Sequence, residues 1–480
     1  MSSLVYLKSK NGETVYVYVN EKGDDGKYSR RCIGHLDPVT GEIVPNRHRS
    51  SENNAHVRSY GINMLLRDIS DSIGLTDALK ITFTDTWDSI LSCAFYCLSE
   101  NTPVAEMEQW MEFNETPRMW PLKMTDLMSI MKMITQDDID SFFKVWKKRA
   151  GDERFVLSML SSDRTIEKSS KRDFEKLFST DMELCYGKDS ELPIGYLYHP
   201  TGFRSAYEMF SASDRFDWVE GDNCEYVVEE VQAKATGLES IMPLGVRNTV
   251  EIPRDDSLFR RMISEHQIND VMDAPRVSTI PYKYGGRNRF IHMHYNPEKA
   301  EVEISRFLSM IERCRYELTT GQYVPSHAPI YNKFFLSHGR GNVELNSDAI
   351  MANNSSAGIR MNISNHIENP IEANKWFRHN DAARILQAKI INDTDLVAMK
   401  LYLQPNFISR VFIQFVALIL NNALEGRMRK SGLADLSVHN ILYRMKRMIR
   451  VNLDNRKNPL MSDMDDIQER IMESLIVRTS

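Results

Sequence analysis

The sequence predicts an α/β chain of several domains, and three observations lead there. Short runs rich in β-branched and aromatic residues, bounded by Gly, Pro and Asp, alternate with stretches whose apolar residues recur at helical spacing. At 480 residues the chain is longer than one ordinary core, and its length suggests roughly three structural units. Hydrophobic residues at 42% and charged residues at 26% are the proportions of folded globular proteins, which excludes a disordered chain.

The elements follow in order. Residues 4 to 45 carry LVYL, TVYVYV and YSRRCIGHL, separated by the turn-forming EKGDDG and followed by Asp37-Pro38 and Thr40-Gly41, so a small β-unit is expected. From Ser59 to Lys148 the spacing is helical: Ile62, Leu65, Leu66 and Ile69 share one face, and Leu127, Ile130, Met131 and Ile134 another. Thr84 or Asp85 suits the cap of the helix carrying Trp87, and Asp137 and Asp138 suit the start of the helix carrying Phe142, Phe143 and Trp146. Between Phe155 and Gly245, FVLSML, MELCYG, IGYLYHP and EYVVEEV fit strands of a mixed sheet. RFIHMHY (289–295) is a further strand leading into a charged helix that begins near Pro297-Glu298. GIRMNISNHI (358–367) reads as a strand, Glu372 to Ile391 as a helix, and Arg410 to Arg429 as a long helix with basic residues at its end, where they suit the dipole. Asp454 to Ser480 reads as a loosely attached helix.

The net charge of −6 argues against a protein that coats nucleic acid by bulk charge, but leaves room for a local basic face. The six cysteines are scattered, without the paired spacing of a zinc site, and Cys93 and Cys97 read as buried thiols. The opening MSSLVYLKSKNG lacks a basic stretch followed by an apolar core, and the most apolar run, Val411 to Leu420, is too short to span a bilayer; a cytoplasmic protein is expected. His292 and His294 share a strand face but have no neighbouring Cys or acid at ligand spacing, so exposed or satisfied histidines are expected. YGGRNR (284–289) lacks the phosphate-loop pattern and reads as a hairpin turn. The methionines, 26 in all, read as core filler.

The stretch YSRRCIGHLDPVTGEIVPN (28–46) resembles the opening module of bacterial and archaeal insertion-sequence transposases of the DDE type. Three further blocks come in the order of such a transposase: 174–203, then Arg289 to Tyr323 with KFF at 333–335, then 358–390 with 408–430. The resemblance implies an RNase H-like catalytic core over 151–245 and 358–430, with an inserted domain over 246–357. Around it lie an N-terminal β-unit (1–50), a helical domain (51–150) that is a candidate DNA binder, and a basic helix with C-terminal tail (431–480).

In active members three carboxylates hold two divalent ions, because hard Mg²⁺ takes oxygen ligands and a metal pair activates the attacking oxygen while stabilising the leaving one. Carried over, the first carboxylate position falls on Ser158, with Asp163 five residues on as a substitute that reads better as a turn residue. The second falls on Glu229, in a run with Glu225 and Glu230 that reads better as a solvated acidic patch. The third belongs to a helix with the series Tyr, Arg, Glu, Lys, which falls on Phe377, Asn380, Arg384 and Ile391. A guanidinium at Arg384 is charged at any working pH and coordinates nothing. Asp381, one turn back, is the substitute ligand there, and reads better as a surface acid paired with Arg378 or Arg384.

Basic residues that suit phosphate contacts are Arg30 and Arg31 near the start, and Arg427, Arg429, Lys430, Arg444, Lys446, Arg447 and Arg450 late; a solvated face is the competing reading. The sequence is therefore read as a transposase-family protein that binds transposon-end DNA, as a degenerate or domesticated derivative needing no cofactor. Two alternatives stay open: an active DDE transposase using Mg²⁺, and a structural or partner-binding scaffold. The resemblance implies double-stranded DNA as partner, a homodimer and no membrane.

Overall fold

A computed structural model describes residues 3–9, 12, 14–22, 28–38, 40–45, 55–100, 106–160, 181–199, 205, 210, 216–220, 223–266, 275–339, 342–392, 404–433, 435–453 and 458–476. The chain is a mixed α/β protein, divided into two compact units: Met1–Val57 with Arg450–Ser462, and Arg58–Ile449 with Asp463–Ser480.

The first unit holds an antiparallel sheet of β1 (Ser3–Lys8), β2 (Val15–Lys22), β3 (Tyr28–Leu36) and β4 (Ile43–Pro45), in that order. These are the runs that the β-branched and aromatic content marks. Val17 is fully buried in it, while Tyr6 and Tyr16 remain exposed. A three-stranded sheet contains β5 (Ala55–Ser59) beside strands at 449–453 and 460–461.

The second unit begins with helices α1 (Gly61–Ser72), α2 (Leu75–Thr82), α3 (Trp87–Ser99), α4 (Met107–Phe113), α5 (Met124–Met133) and α6 (Gln136–Ala150). The faces predicted from spacing are buried, including Leu65, Leu66 and Ile69 of α1. Thr135 and Asp138 form a capping box at α6; α3 starts after Thr86 without a side-chain cap, so neither Thr84 nor Asp85 serves it.

The sheet follows: β6 (Phe155–Leu160), β7 (Asp181–Gly187), β8 (Pro193–His199) and β9 (Cys224–Val228); then short helices α7 (Glu230–Thr236) and α8 (Leu238–Ile241), β10 (Asn248–Glu251) and α9 (Ser257–His266). After a hairpin of β11 (Arg276–Tyr284) and β12 (Arg287–Tyr295) comes α10 (Pro297–Thr320), capped by Asn296. Then come α11 (Ala328–Phe334), β13 (Phe335–Gly339), β14 (Asn342–Leu345), α12 (Ser347–Asn354) and β15 (Ile359–Ser364). The chain continues as α13 (Pro370–Asn392), α14 (Gln404–Lys430), α15 (Val438–Met445), β16 (Ile449–Leu453), β17 (Leu460–Met461) and α16 (Asp466–Leu475).

Eight strands form the main sheet in the order β11-β12-β15-β10-β9-β6-β7-β8. β6, β7 and β8 run antiparallel, whereas β9 pairs parallel with β6 and β10 parallel with β9. Alternation along a strand divides the two faces. Val156, Leu160, Leu184 and Val227 pack into the core shared with α13 and α14, while Leu157, Met159, Tyr226 and Val228 join a second core on the other side.

Helix α14 contains Val411 to Leu420 and, by length and composition alone, could cross a membrane; 94% of its apolar window is buried inside the protein, where Phe412 meets Phe83 and Phe142. Helix α1 lies tightly against α15: a Cβ on Gly61 would come within 2.3 Å of the Met445 carbonyl oxygen, so the first helical residue has to be glycine. The expectation of a loosely attached terminal helix is overturned at α16, where Ile471 and Leu475 are buried in the main core. EYVVEEV also differs from expectation: the strand stops at Val228, and Glu230 already belongs to α7.

Candidate functional site

Three strand ends and one helix bring charged residues together on the α13 face of the main sheet. Glu229 directly follows β9 and precedes α7; Glu251 ends the neighbouring β10; Arg360 lies on β15, next in the sheet; Asn380, Asp381 and Arg384 lie on α13. On the helix, positions 380, 381 and 384 fall within one turn and so face the same strand ends.

The contacts form a chain of alternating charge. The Glu229 carboxylate, 2% exposed, accepts from Asn380 Nδ2 at 2.9 Å on one oxygen and from Arg384 on the other. Arg384 also lies 3.9 Å from Asp381. Arg360 donates through both terminal nitrogens to Asp381, at 3.0 and 3.3 Å, and through Nε to Glu251 at 3.1 Å. The second Glu251 oxygen accepts the Glu230 backbone N–H at 3.1 Å. Lys299 stands 3.5 Å from Asp381, and the Arg360 guanidinium lies over the Phe377 ring. Three carboxylates are thus interleaved with two guanidiniums.

Burial pushes the Glu229 carboxyl up to about 7, against the pull of Arg384 and Asn380 and with Glu251 adding to the rise. For Asp381 burial acts upward, but Arg360, Lys299 and Arg384 outweigh it and hold the carboxyl below its usual range. Burial opposes the charge of Arg360, yet Glu251 and Asp381 overcome it and raise its pKa. A carboxyl near 7 lies in the range of a general acid or base. Here both of its oxygens are already engaged, which makes it half of a buried ion pair.

Ser158 sits on β6 opposite Val227, on the same face as Val156 and Leu160 and hence on the side of α13; it is fully buried and its hydroxyl has no hydrogen-bond partner among the described residues. A buried hydroxyl brings no charge to this end of the sheet. The set Ser158, Glu229 and Arg384 does not fit a pair of hard divalent ions, which require oxygen ligands turned toward a shared position. Every oxygen of Glu229 and Asp381 faces a donor instead.

Asp163 lies outside the described residues, and so does the side chain of Ile391. Phe377 is buried in the core. The expected solvated patch of Glu225 and Glu229 is corrected: both are buried, because β9 is an interior strand between β6 and β10. Asp381 pairs chiefly with Arg360, a partner that helical spacing along α13 does not reveal. Arg360 and Glu251 are the functional residues that sequence reasoning missed. The one available signal was an arginine inside the apolar alternation of GIRMNIS.

A second ion-pair group lies nearby. Glu225 is held by Lys188 and by His366 Nε2 at 3.2 Å; burial would raise its pKa, and these two partners bring it down to about 2. Glu191, in the β7–β8 turn, gathers Lys375 at 2.9 Å, His379 at 3.5 Å and Arg429, and the His379 contact contributes most to lowering its pKa to about 2. Its φ of 61° is a left-handed backbone that a residue with a Cβ seldom adopts. His292 is the satisfied core histidine expected, with its ring nitrogens on the Thr279 hydroxyl and the Ile367 carbonyl, both at 3.0 Å.

The pKa of Glu225 yields an expected pH dependence. Its folded value lies below the ordinary 4.5, so its ionised form stabilises the fold above that pH, and the contribution is lost as pH falls through about 2. Glu225→Gln should cost about 3 kcal/mol at pH 7, since each tenfold change in proton affinity is worth roughly 1.4 kcal/mol. The difference from wild type should close between pH 4.5 and 2 in urea unfolding. A difference that stays constant over this window would show that Glu225 is not held in this way.

Three of the nine predicted basic residues are tied to acids within the fold. Arg427 binds Asp68 at 2.5 Å and the Leu475 carbonyl, Arg429 binds Glu191, and Lys446 binds Glu100 at 2.6 Å. Arg444 lies half-buried in the last turn of α15, while Lys430 and Arg447 are exposed. In the first unit, Arg30 is exposed with Nε 3.1 Å from Asn20, Arg31 lies on β3 with its side chain outside the described residues, and Arg450 is half-buried on β16. No family model matches the sequence, and no curated protein matches it either.

Proposed function

We propose that the chain is a catalytically silent derivative of a DDE transposase that binds double-stranded DNA. The observation that carries this reading is the Arg384 guanidinium seated on Glu229. These are the two positions onto which the family resemblance carries the second and third metal-binding carboxylates. Two guanidiniums, Arg360 and Arg384, lie among three carboxylates in the region where such an enzyme would keep two divalent ions. The strand arrangement supports an RNase H-like core: three consecutive antiparallel strands, then two strands added in parallel beyond the first. A soluble cytoplasmic protein acting as a homodimer goes with this reading.

The scaffold alternative draws support from Arg427, Arg429 and Lys446, which spend their charge on internal partners. DNA binding therefore rests on the exposed Arg30, Lys430 and Arg447. The deciding measurement is binding of a mixed-sequence duplex by the full chain at two salt concentrations, followed by incubation with Mg²⁺ or Mn²⁺. We expect affinity that falls steeply with salt, no strand cleavage, and about a tenfold weakening with a flatter salt slope in the double variant Lys430→Glu/Arg447→Glu. Absence of binding at low salt leaves the scaffold; metal-dependent cleavage returns the enzyme.

A further inference from the structure

The segment between β12 and β15 has a small core of its own, with Ile311, Cys314, Tyr331, Phe334 and Phe335 as its buried hydrophobic residues among those described. So few buried side chains stabilise little, and small units of this kind commonly depend on an added cross-link. At its centre Cys314 and Glu317, three apart on α10, point to the same side of the helix. The helix stops at Gly321, whose left-handed φ turns the chain back so that the 3₁₀ turn Pro325–His327 brings His327 onto them. One sulfur, one carboxylate oxygen and one ring nitrogen from these residues all lie within 4.8 Å of one another.

We propose that Cys314, Glu317 and His327 form a Zn²⁺ site that clamps α10 to the turn before α11. Thiolate, imidazole and carboxylate together select a borderline-soft ion and reject Mg²⁺. The Glu317 carboxylate is already oriented for it. Oε1 accepts from Arg313 Nε at 3.1 Å, leaving Oε2 directed at His327 Nδ1 (2.8 Å) and at the Tyr331 hydroxyl (2.5 Å). In a tetrahedral site, ligand atoms sit about 3.3–3.8 Å apart, inside the 4.8 Å that encloses these three. Zn²⁺ enters as the Cys314 thiol releases its proton to solvent and the Nδ1–H of His327, where present, shifts to Nε2. Arg313 and Tyr331 then remain as partners of the ligating carboxylate, and a water completes the fourth position.

The test uses the full chain stripped with EDTA and titrated with Co²⁺ alone. We expect one equivalent to produce a thiolate-to-cobalt charge-transfer band, displaced by Zn²⁺, and Zn²⁺ to raise Tm. Cys314→Ser should abolish the band, His327→Gln should weaken binding by about 100-fold or more, and Tyr331→Phe should weaken it by about tenfold, the size of a supporting-partner effect. Far-UV circular dichroism checks that each variant folds, and His327→Gln carries the test should Cys314→Ser not fold. Absence of the band in the wild type, or a band unchanged in both Cys314→Ser and His327→Gln, overturns the proposal and leaves a hydrogen-bonded cluster.

Discussion

Arg384→Ala is expected to destabilise the fold by about 2–4 kcal/mol at pH 8 and by little more than one hydrogen bond, about 1 kcal/mol, at pH 5. The upper figure is set below the usual cost of breaking a fully buried pair, because the Arg384 side chain is 34% exposed and water screens part of the interaction. The pH dependence follows from Glu229. Its folded pKa, about 7, lies above the ordinary 4.5, so its protonated form favours the folded state and that contribution is lost as pH rises from 4.5 through 7. Removing the guanidinium raises the folded pKa further. The variant then keeps losing stability above pH 7, where the wild type has levelled off. Urea unfolding at pH 5, 6, 7, 8 and 9 measures the divergence. An equal loss at every pH would sink the assignment of Arg384 as the counter-ion of Glu229. The double variant Glu229→Gln/Arg384→Met should recover most of the loss, since it leaves no buried charge unpaired.

This ion-pair chain was only half legible in the sequence. Strands and helices were visible because side-chain periodicity is local: TVYVYV and FVLSML announce themselves, and so does the face of Ile62, Leu65 and Ile69. Burial of Glu225 and Glu229 was not, since consecutive acids ordinarily sit in water and nothing in EYVVEE says that its strand lies between two others. The Glu229–Arg384 contact joins residues 155 apart and was approached only through the register borrowed from the transposase resemblance. Arg360 reaches Glu251 across 109 residues and Asp381 across 21, and both contacts depend on β15 docking beside β10. The internal partners of the basic residues near Arg427 were hidden for the opposite reason. A cluster of like charge in sequence carries no mark of the acids that the fold sets against it, here Asp68, Glu100 and Glu191.

A guanidinium can take the place of a metal ion structurally without taking its chemistry. It neutralises carboxylates through directed N–H donors, and it cannot polarise a water or hold a leaving oxygen as a metal does. Two such groups keep three carboxylates at one end of a sheet compatible with folding. The geometry is therefore maintained by fixed charges of the chain itself.

Arg360→Met is the sharpest test of that view. Among the described residues Arg360 alone contacts both Glu251 and Asp381, and its side chain is 22% exposed, so its loss leaves Asp381 with Lys299 and Arg384, and Glu251 with the Glu230 N–H, as their remaining described partners. Methionine keeps the apolar stem against Phe377, which confines the change to charge. We expect a loss of about 3 kcal/mol at pH 7, in the range for removing one partner of a buried pair. Because Asp381 is held below its ordinary pKa largely by Arg360, its ionised form stabilises the wild type above pH 3.8 and that contribution fades as pH falls below it. The variant should therefore approach wild-type stability only as pH falls below 3.8, well below the range in which the Arg384→Ala gap closes. Adding Asp381→Asn to Arg360→Met should cost less than the two single effects summed, by about 1 kcal/mol or more, since the two side chains share one interaction. Strict additivity in that cycle would mean that Arg360 acts through packing on Phe377, and the picture of a charge chain from Glu229 to Glu251 would have to be given up.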